Sequence, residues 1–326
     1  MLINLRFKPF DYLNPLLDPP VGISAKLIAD FYIFTVAIDH RTSSPSGIAF
    51  EGTLDGRFFH GADLLYALAI HKFKEDRDFF TAERMAQISP EAVTNWLSLT
   101  VDGKRIVIYN PQERAELLRN LGQKLLELGY KSSLELIKRC AGYLIRPEGT
   151  GLLQLLTSFK AYGDPVSKKS FLWAKFLTGR GLLEVQDLDN IAVPIDNHLT
   201  RIALRTGIIN VKDEEIKNRL RLEQSFSLSE DLELREAVRS AYKEILRYKK
   251  LRFNELDDFF WVLGRSHCLH SKNPLCQNYD HNPACQLMVE LKLNCQQQCP
   301  LAPVCRGFKE DSFRTLLEAN IRTFFY

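Results

Sequence analysis

The chain has 326 residues, 45% of them hydrophobic, with 43 basic side chains against 40 acidic ones and a formal net charge of +3. That is apolar material for one or two cores without disulfide staples, and a charge balance too even for a molecule-wide field that gathers polyanions, so any such binding must rest on local basic runs. The longest apolar run, about Leu27 to Ile38, is interrupted by Asp30 and falls short of the roughly 20 residues of a membrane helix, so no membrane partner is expected.

In chain order, Met1–Phe10 lacks the charged start, apolar run and small-residue cleavage site of a secretory signal, which predicts a reducing, cytoplasmic setting. Two hairpins follow from Asp-Gly dipeptides, Asp55-Gly56 between Ile48–Leu54 and Arg57–Phe59, and Asp102-Gly103 between Leu99–Val101 and Lys104–Tyr109. Asn110 as cap and Pro111 at the first position open an amphipathic helix with Ala115, Leu118, Leu121, Leu125 and Leu128 on its apolar stripe, stopped by Gly129. From Leu155 an apolar helix meets a Gly163-Asp164-Pro165 turn, and a second helix then opens with Lys168 and Lys169, with Lys175 about two turns on. This is a helix–hairpin–helix in outline, and any αα-hairpin would share it.

Pro194 imposes an extended entry to Asp196, which stands at the N-cap of a short helix ended by Gly207. Capping aspartates are common, yet a carboxylate bonded to helix N–H groups is held toward its ionised form and can also do chemistry. A further helix is predicted from about Leu232 to Tyr248, with Leu234, Val238, Ala241, Ile245 and Tyr248 on one stripe. The expected fold class is mainly α.

Six of the seven cysteines stand between Cys268 and Cys305. Thiols gathered at one end of a cysteine-poor chain need a shared reason: disulfides, structural zinc or an iron–sulfur cluster. Zinc ribbons show close pairs, and only Cys295 and Cys299 stand so. Four thiolates on iron suit a reducing compartment.

Lys168-Lys169, the stretch Val193-Pro-Ile-Asp196-Asn-His198, Gly264-Arg265-Ser-His-Cys268 and Cys299-Pro300-Leu301 to Cys305 stand in the order found in the endonuclease III superfamily. The chain therefore resembles a helix–hairpin–helix DNA glycosylase. That resemblance implies a [4Fe–4S] cluster on Cys268, Cys276, Cys299 and Cys305, with Cys285 and Cys295 in an insertion that separates the second and third ligands and with zinc as the alternative. It implies a monomer of three segments: 1–60 packing on the C-terminal lobe, a central lobe 61–185 with the hairpin, and a C-terminal lobe 186–326. A second resemblance, carried by Glu51-Gly52, Phe58-Phe59-His60-Gly61, the Gln112–Leu118 helix and Tyr162-Gly-Asp164, is to queuosine-salvage nucleoside hydrolases, which share the fold but act on a small modified nucleoside.

Both families cut an N-glycosidic bond, and the positive charge growing on the sugar calls for a carboxylate beside it. Asp196 takes that role on the resemblance. Lys169, with Lys168 one residue out of register as its competitor, becomes the amine of a Schiff-base lyase. Gly163, Lys168, Lys175, His198, Lys249 and Lys250 are the expected contacts to double-stranded DNA. Phe58, Phe59, His60 and His40 are candidates for a pocket that receives a flipped base. The sequence expectation is thus a DNA glycosylase, with a nucleoside hydrolase and a silent DNA-binding protein as the alternatives.

Overall fold

The computed structural model describes residues 10–249, 251–271, 274 and 299–326. It is mainly helical, with two small antiparallel hairpins, and divides into two compact units, a front unit of Asp11–Asn190 with Thr323–Tyr326 and a back unit of Met1–Phe10 with Ile191–Arg322. Residues 11–60 thus share a unit with the segment that follows them, where the sequence placed a break at 60. Among the described residues no helix is long and apolar enough to cross a membrane.

In the front unit, helix α1 (Ala25–Ala37) is buried at every residue from Ile28 on, which suits a sequence apolar on all faces. Its buried Asp30 is held through Oδ1 by the Ser132 hydroxyl at 3.0 Å and by the Ser133 amide and hydroxyl, both at 2.7 Å. Around it lie α2 (Ala62–Glu75), α3 (Ala82–Met85), α4 (Pro90–Trp96), α5 (Pro111–Glu127), α6 (Leu134–Cys140), α7 (Leu152–Leu156) and α8 (Lys168–Gly179).

The hairpins β1 (Glu51–Leu54) with β2 (Arg57–His60), and β3 (Ser98–Val101) with β4 (Lys104–Val107), form where expected. All four turn residues have positive φ, 51° and 76° at Asp55-Gly56, 48° and 76° at Asp102-Gly103, the geometry that matches strand twist in two-residue hairpins. The Asn110 side chain accepts the Glu113 amide at 3.3 Å to start α5. Ala115, Leu118, Leu121 and Leu125 are buried as predicted, while Leu128 is 49% exposed. Helix α7 is shorter than the predicted first arm of the hairpin and passes into a single 3-10 turn, Lys160–Tyr162.

The back unit holds α9 (Asn197–Thr206), α10 (Glu214–Arg221), α11 (Leu228–Lys249) and α12 (Phe253–Ser266), followed by two single-turn helices, Arg306–Lys309 and Asp311–Arg314. Leu204, Leu220, Phe226, Phe313 and Leu316 form a core that joins three of these elements. Helix α11 differs from its predicted face. Asp231, Arg235, Val238, Tyr242 and Leu246 are its buried residues, and Tyr248 is 81% exposed. The buried stripe is therefore turned by one residue, about 100°, because Arg235 and Asp231 pair at 3.7 Å and go inside together.

Candidate functional site

In the back unit, the buried residues Val193–Ile195 lead extended into Asp196, whose backbone is still extended where α9 begins. Asp196 is the N-cap the sequence predicted: Oδ1 accepts the Leu199 amide at 2.9 Å. Among the described residues Oδ2 has no hydrogen-bond partner, and the residue is 8% exposed. Two side chains of α11 fix the backbone on either side, Arg235 donating to the Ile195 carbonyl at 3.1 Å and Tyr242 to that of Leu199 at 3.1 Å. Asp196 is thus a rigidly seated carboxylate with one oxygen engaged and the other available.

His198, expected as a DNA contact, is engaged within the chain. Its Nδ1 accepts from Arg201 Nη2 at 2.9 Å, and it lies so close under α12 that a β-carbon on Gly264 would be 2.6 Å from its own β-carbon. Burial, reinforced by Arg201 and Arg265 against the pull of Asp196, pushes its pKa down to about 4. That shift favours the neutral imidazole, which is bonded to Arg201. That guanidinium also donates to the carbonyls of Gly264 (2.9 Å) and Cys268 (2.7 Å), and pairs with the buried Glu318 at 2.5 Å.

One turn further, Arg205 donates to the carbonyls of Leu269 (2.8 Å), Ser271 (2.5 Å) and Leu316 (2.8 Å), and its Nη1 lies 3.5 Å from Cys268 Sγ. Neither arginine was given a role from sequence. The signal available was their i, i+4 spacing on a helix whose neighbours Ile202, Ala203 and Leu204 are apolar, which puts both cations on one inward face.

Cys268, Cys299 and Cys305 line a single pocket beside Arg205. Short turns bring the last two together: the Cys299 carbonyl accepts from Ala302 N and that of Leu301 from Cys305 N. Cys268, Cys299 and Cys305 are not joined in disulfides. Cys305 Sγ lies 3.7 Å from the Arg205 carbonyl, and burial raises its pKa. Cys276, Cys285, Cys295 and Lys250 lie outside the described residues. Among the described residues no three Cys, His, Asp or Glu side chains are gathered tightly enough to hold one ion. Thiols on one pocket with an arginine N–H directed at one sulfur are the donor types that iron–sulfide groups and zinc use, though the three are not drawn together around one point here.

In the front unit, α8 presents its lysines inward. Lys169 has no exposed surface. Its Nζ donates to the Ala37 carbonyl at the end of α1 at 2.5 Å and lies 3.5 Å from His40 Nδ1. Burial first, then the neighbouring Lys168, holds its pKa well below the ordinary lysine range despite Asp39. Lys168 pairs with Asp39 at 3.3 Å and is 7% exposed. Lys175 is 4% exposed, with its ammonium 5.8 Å from the Tyr12 ring centroid.

Lys168 and Lys175, both expected as DNA contacts, are therefore buried and not presented at the surface. The turn is also differently used. Gly163 is exposed, but its amide donates to the Lys160 carbonyl, and the Asp164 carboxylate accepts the amides of Val166 at 3.2 Å and Lys168 at 2.9 Å. The N–H groups expected to grip a phosphate are occupied by a carboxylate of the chain itself. Lys249, by contrast, is at the accessible end of α11, its ammonium 4.4 Å from the Tyr248 ring centroid.

The proposed base-pocket residues part company. Alternation along β2 buries Phe59 at 6% and leaves Phe58 62% exposed, while His60 is exposed and bonded to Glu51 at 2.7 Å. His40 is buried instead against Arg114, Lys168 and Lys169, and burial, then Arg114, lowers its pKa well below the usual range. Arg114 is fully buried and ties α5 to the end of α1, donating to the carbonyls of Ile38, His40 (3.4 Å), Arg41 (2.6 Å) and Tyr109 (3.0 Å). Burial brings its pKa down to about 9. The structure thus gathers Lys168, Lys169, His40, Asp39 and Arg114 at the C-terminal end of α1, and leaves Phe58 and His60 apart from them. Compared with known proteins, the chain matches no family model, and no curated protein matches it at a significant level.

Proposed function

We propose that the protein hydrolyses an N-glycosidic bond, removing a modified or damaged base from double-stranded DNA in the manner of the helix–hairpin–helix glycosylases it resembles. The observation that carries this reading is Asp196, capped through Oδ1 and free of hydrogen bonds at Oδ2 among the described residues. As the bond between sugar and base lengthens, Oδ2 faces the charge growing on the sugar and aligns a water for attack, and the base leaves with the bonding electron pair. An iron–sulfur cluster on Cys268, Cys276, Cys299 and Cys305 would fasten the loop structurally and take no part in hydrolysis.

Lys169 rather than Lys168 suits the lyase role, because burial favours the neutral form of its amine while Lys168 is committed to Asp39. Attack would first require Nζ to leave the Ala37 carbonyl. One observation favours the second reading, a hydrolase of free modified nucleosides: the turn amides and the α8 lysines are already satisfied within the chain, which removes the expected grip on a duplex.

The test is base release from lesion-bearing duplexes and from free nucleosides, with Asp196→Asn alongside. Release from duplex that the variant lowers by about 100-fold or more is expected. Release confined to free nucleosides gives the second reading, and duplex binding without release of any base sinks both.

A further inference from the structure

Burial favours the neutral form of the Lys169 amine, but a side chain with no exposed surface cannot pass its proton to water directly. Its hydrogen bonds run to two groups, the Ala37 carbonyl and His40 Nδ1, the latter at 3.5 Å. A peptide carbonyl takes no proton at ordinary pH, whereas an imidazole nitrogen does. Among the described residues His40 is thus the hydrogen-bonded partner of Lys169 that can relieve it of a proton.

The ring is held in one orientation and one tautomer. Its Nδ1 also faces Arg114 Nη1 at 3.4 Å. A guanidinium only donates, so Nδ1 is the acceptor and the proton of the ring itself sits on Nε2. Arg114 fixes the backbone there as well, through the carbonyls of His40 and Arg41. Nε2 is buried and, among the described residues, makes no hydrogen bond, a state that calls for a reason. The group it approaches is Glu113, with Oε2 at 3.8 Å. Glu113 is seated in the first turn of α5, where its amide goes to the Asn110 side-chain oxygen and its Oε2 accepts Asn110 Nδ2 at 3.0 Å. With 32% of its side chain exposed, it reaches solvent. Arg114 and Lys168, itself paired with Asp39, disfavour a full imidazolium, so a ring that accepts a proton at one nitrogen must yield one at the other.

We propose that His40 and Glu113 form the proton path of Lys169, an inference that rests on the lyase role given to that lysine. In the step, a Lys169 N–H bond breaks as His40 Nδ1–H forms, and the Nε2–H bond breaks as Glu113 Oε2–H forms. The ammonium becomes an amine, the carboxylate becomes a carboxylic acid, and the ring stays neutral in its other tautomer. Glu113 then gives the proton to solvent. The new Nδ1–H faces Arg114, which favours return along the same path when the amine is released. The gap at Glu113 closes with a small movement of a partly exposed side chain, as catalytic hydrogen bonds often tighten only in the working complex.

Single-turnover borohydride trapping of the full chain on an abasic duplex tests the path. His40→Gly should slow trapping about 100-fold, and 4-methylimidazole in solution should restore it at least tenfold. N-methylimidazole, equal in size but without an N–H to pass on, should not. Glu113→Gln should slow trapping about tenfold. Equal rescue by both imidazoles, or parental rates in either variant, overturns the proposal. A parent that traps nothing removes the lyase reading, and the path is then judged without chemistry. In protein labelled with nitrogen-15 histidine, NMR should show the His40 proton on Nε2, exchanging with water at least tenfold faster in the parent than in Glu113→Gln. A proton on Nδ1, or exchange indifferent to that substitution, overturns the path by itself.

Discussion

Asp196, Lys169 and Arg114 are each ionisable residues deep in the protein, and each is made tolerable differently. Asp196 spends one oxygen on a helix amide. Arg114 spends its donors on the carbonyls that follow α1, which lack helical partners. Replacing Arg114 by Met should therefore cost about 3 kcal/mol or more, since buried acceptors lose their donors, read as a lower urea midpoint at unchanged slope. Lys169 donates to Ala37 O, where burial favours its neutral form, and borohydride trapping on an abasic duplex should be lost in Lys169→Met and retained in Lys168→Met; the reverse pattern would move the nucleophile by one residue. The sequence disclosed the aspartate because capping is local, a matter of three residues and a proline. It could not disclose the burial of the lysines, whose partners Asp39 and Ala37 lie about 130 positions upstream.

At the level of elements, local grammar was again readable and pairing was not. The Asp-Gly turns and the Asn110-Pro111 start carry their conformation in adjacent residues, so both hairpins and α5 form where the sequence put them. Helix α11 misled because an apolar stripe was sought where an ion pair, Asp231 with Arg235, is part of the buried face. The packing of α5 offers a check of its own. A β-carbon on Gly122 would lie 2.5 Å from the Ala86 backbone N and 2.6 Å from the Ala82 carbonyl. Gly122→Ala should destabilise the front unit by about 1–3 kcal/mol despite its better helix propensity; an unchanged or raised melting temperature would mean that α3 yields without cost.

For the whole molecule, the titrating groups pull against each other in acid. His198, with its pKa lowered to about 4 from an ordinary value of 6.5, contributes stability that is lost as pH falls through that interval, because the unfolded chain takes up a proton the folded one refuses. Asp18 acts oppositely. Burial raises it to about 6, so the folded chain takes up the proton first and gains stability as pH falls from there toward 3.8. His198→Gln should flatten the acid-side loss of melting temperature between pH 6.5 and 4, and Asp18→Asn should steepen it. Protein purified without oxygen should be brown and contain iron that Cys299→Ala loses; colourless protein holding one zinc would replace that assignment. The thiol group as a whole was visible in the sequence because cysteine is rare elsewhere, whereas the arginines that brace it gave only a faint helical spacing.

The two units are interleaved along the chain. Phe10 gives its amide to Asp258 at 2.9 Å, 248 positions on, and Lys160 meets Phe324 with its ammonium 5.6 Å from the ring centroid. Synthesis runs from one end, so residues 11–190 emerge together and are free to fold first, as domains generally do on the ribosome. The back unit must wait with Phe10 already made and its partner helix far from translated. A nascent chain halted shortly after residue 190 should resist protease over the front unit while Phe10 stays cleavable, which makes the order of birth, and not contact alone, part of how this protein reaches its shape.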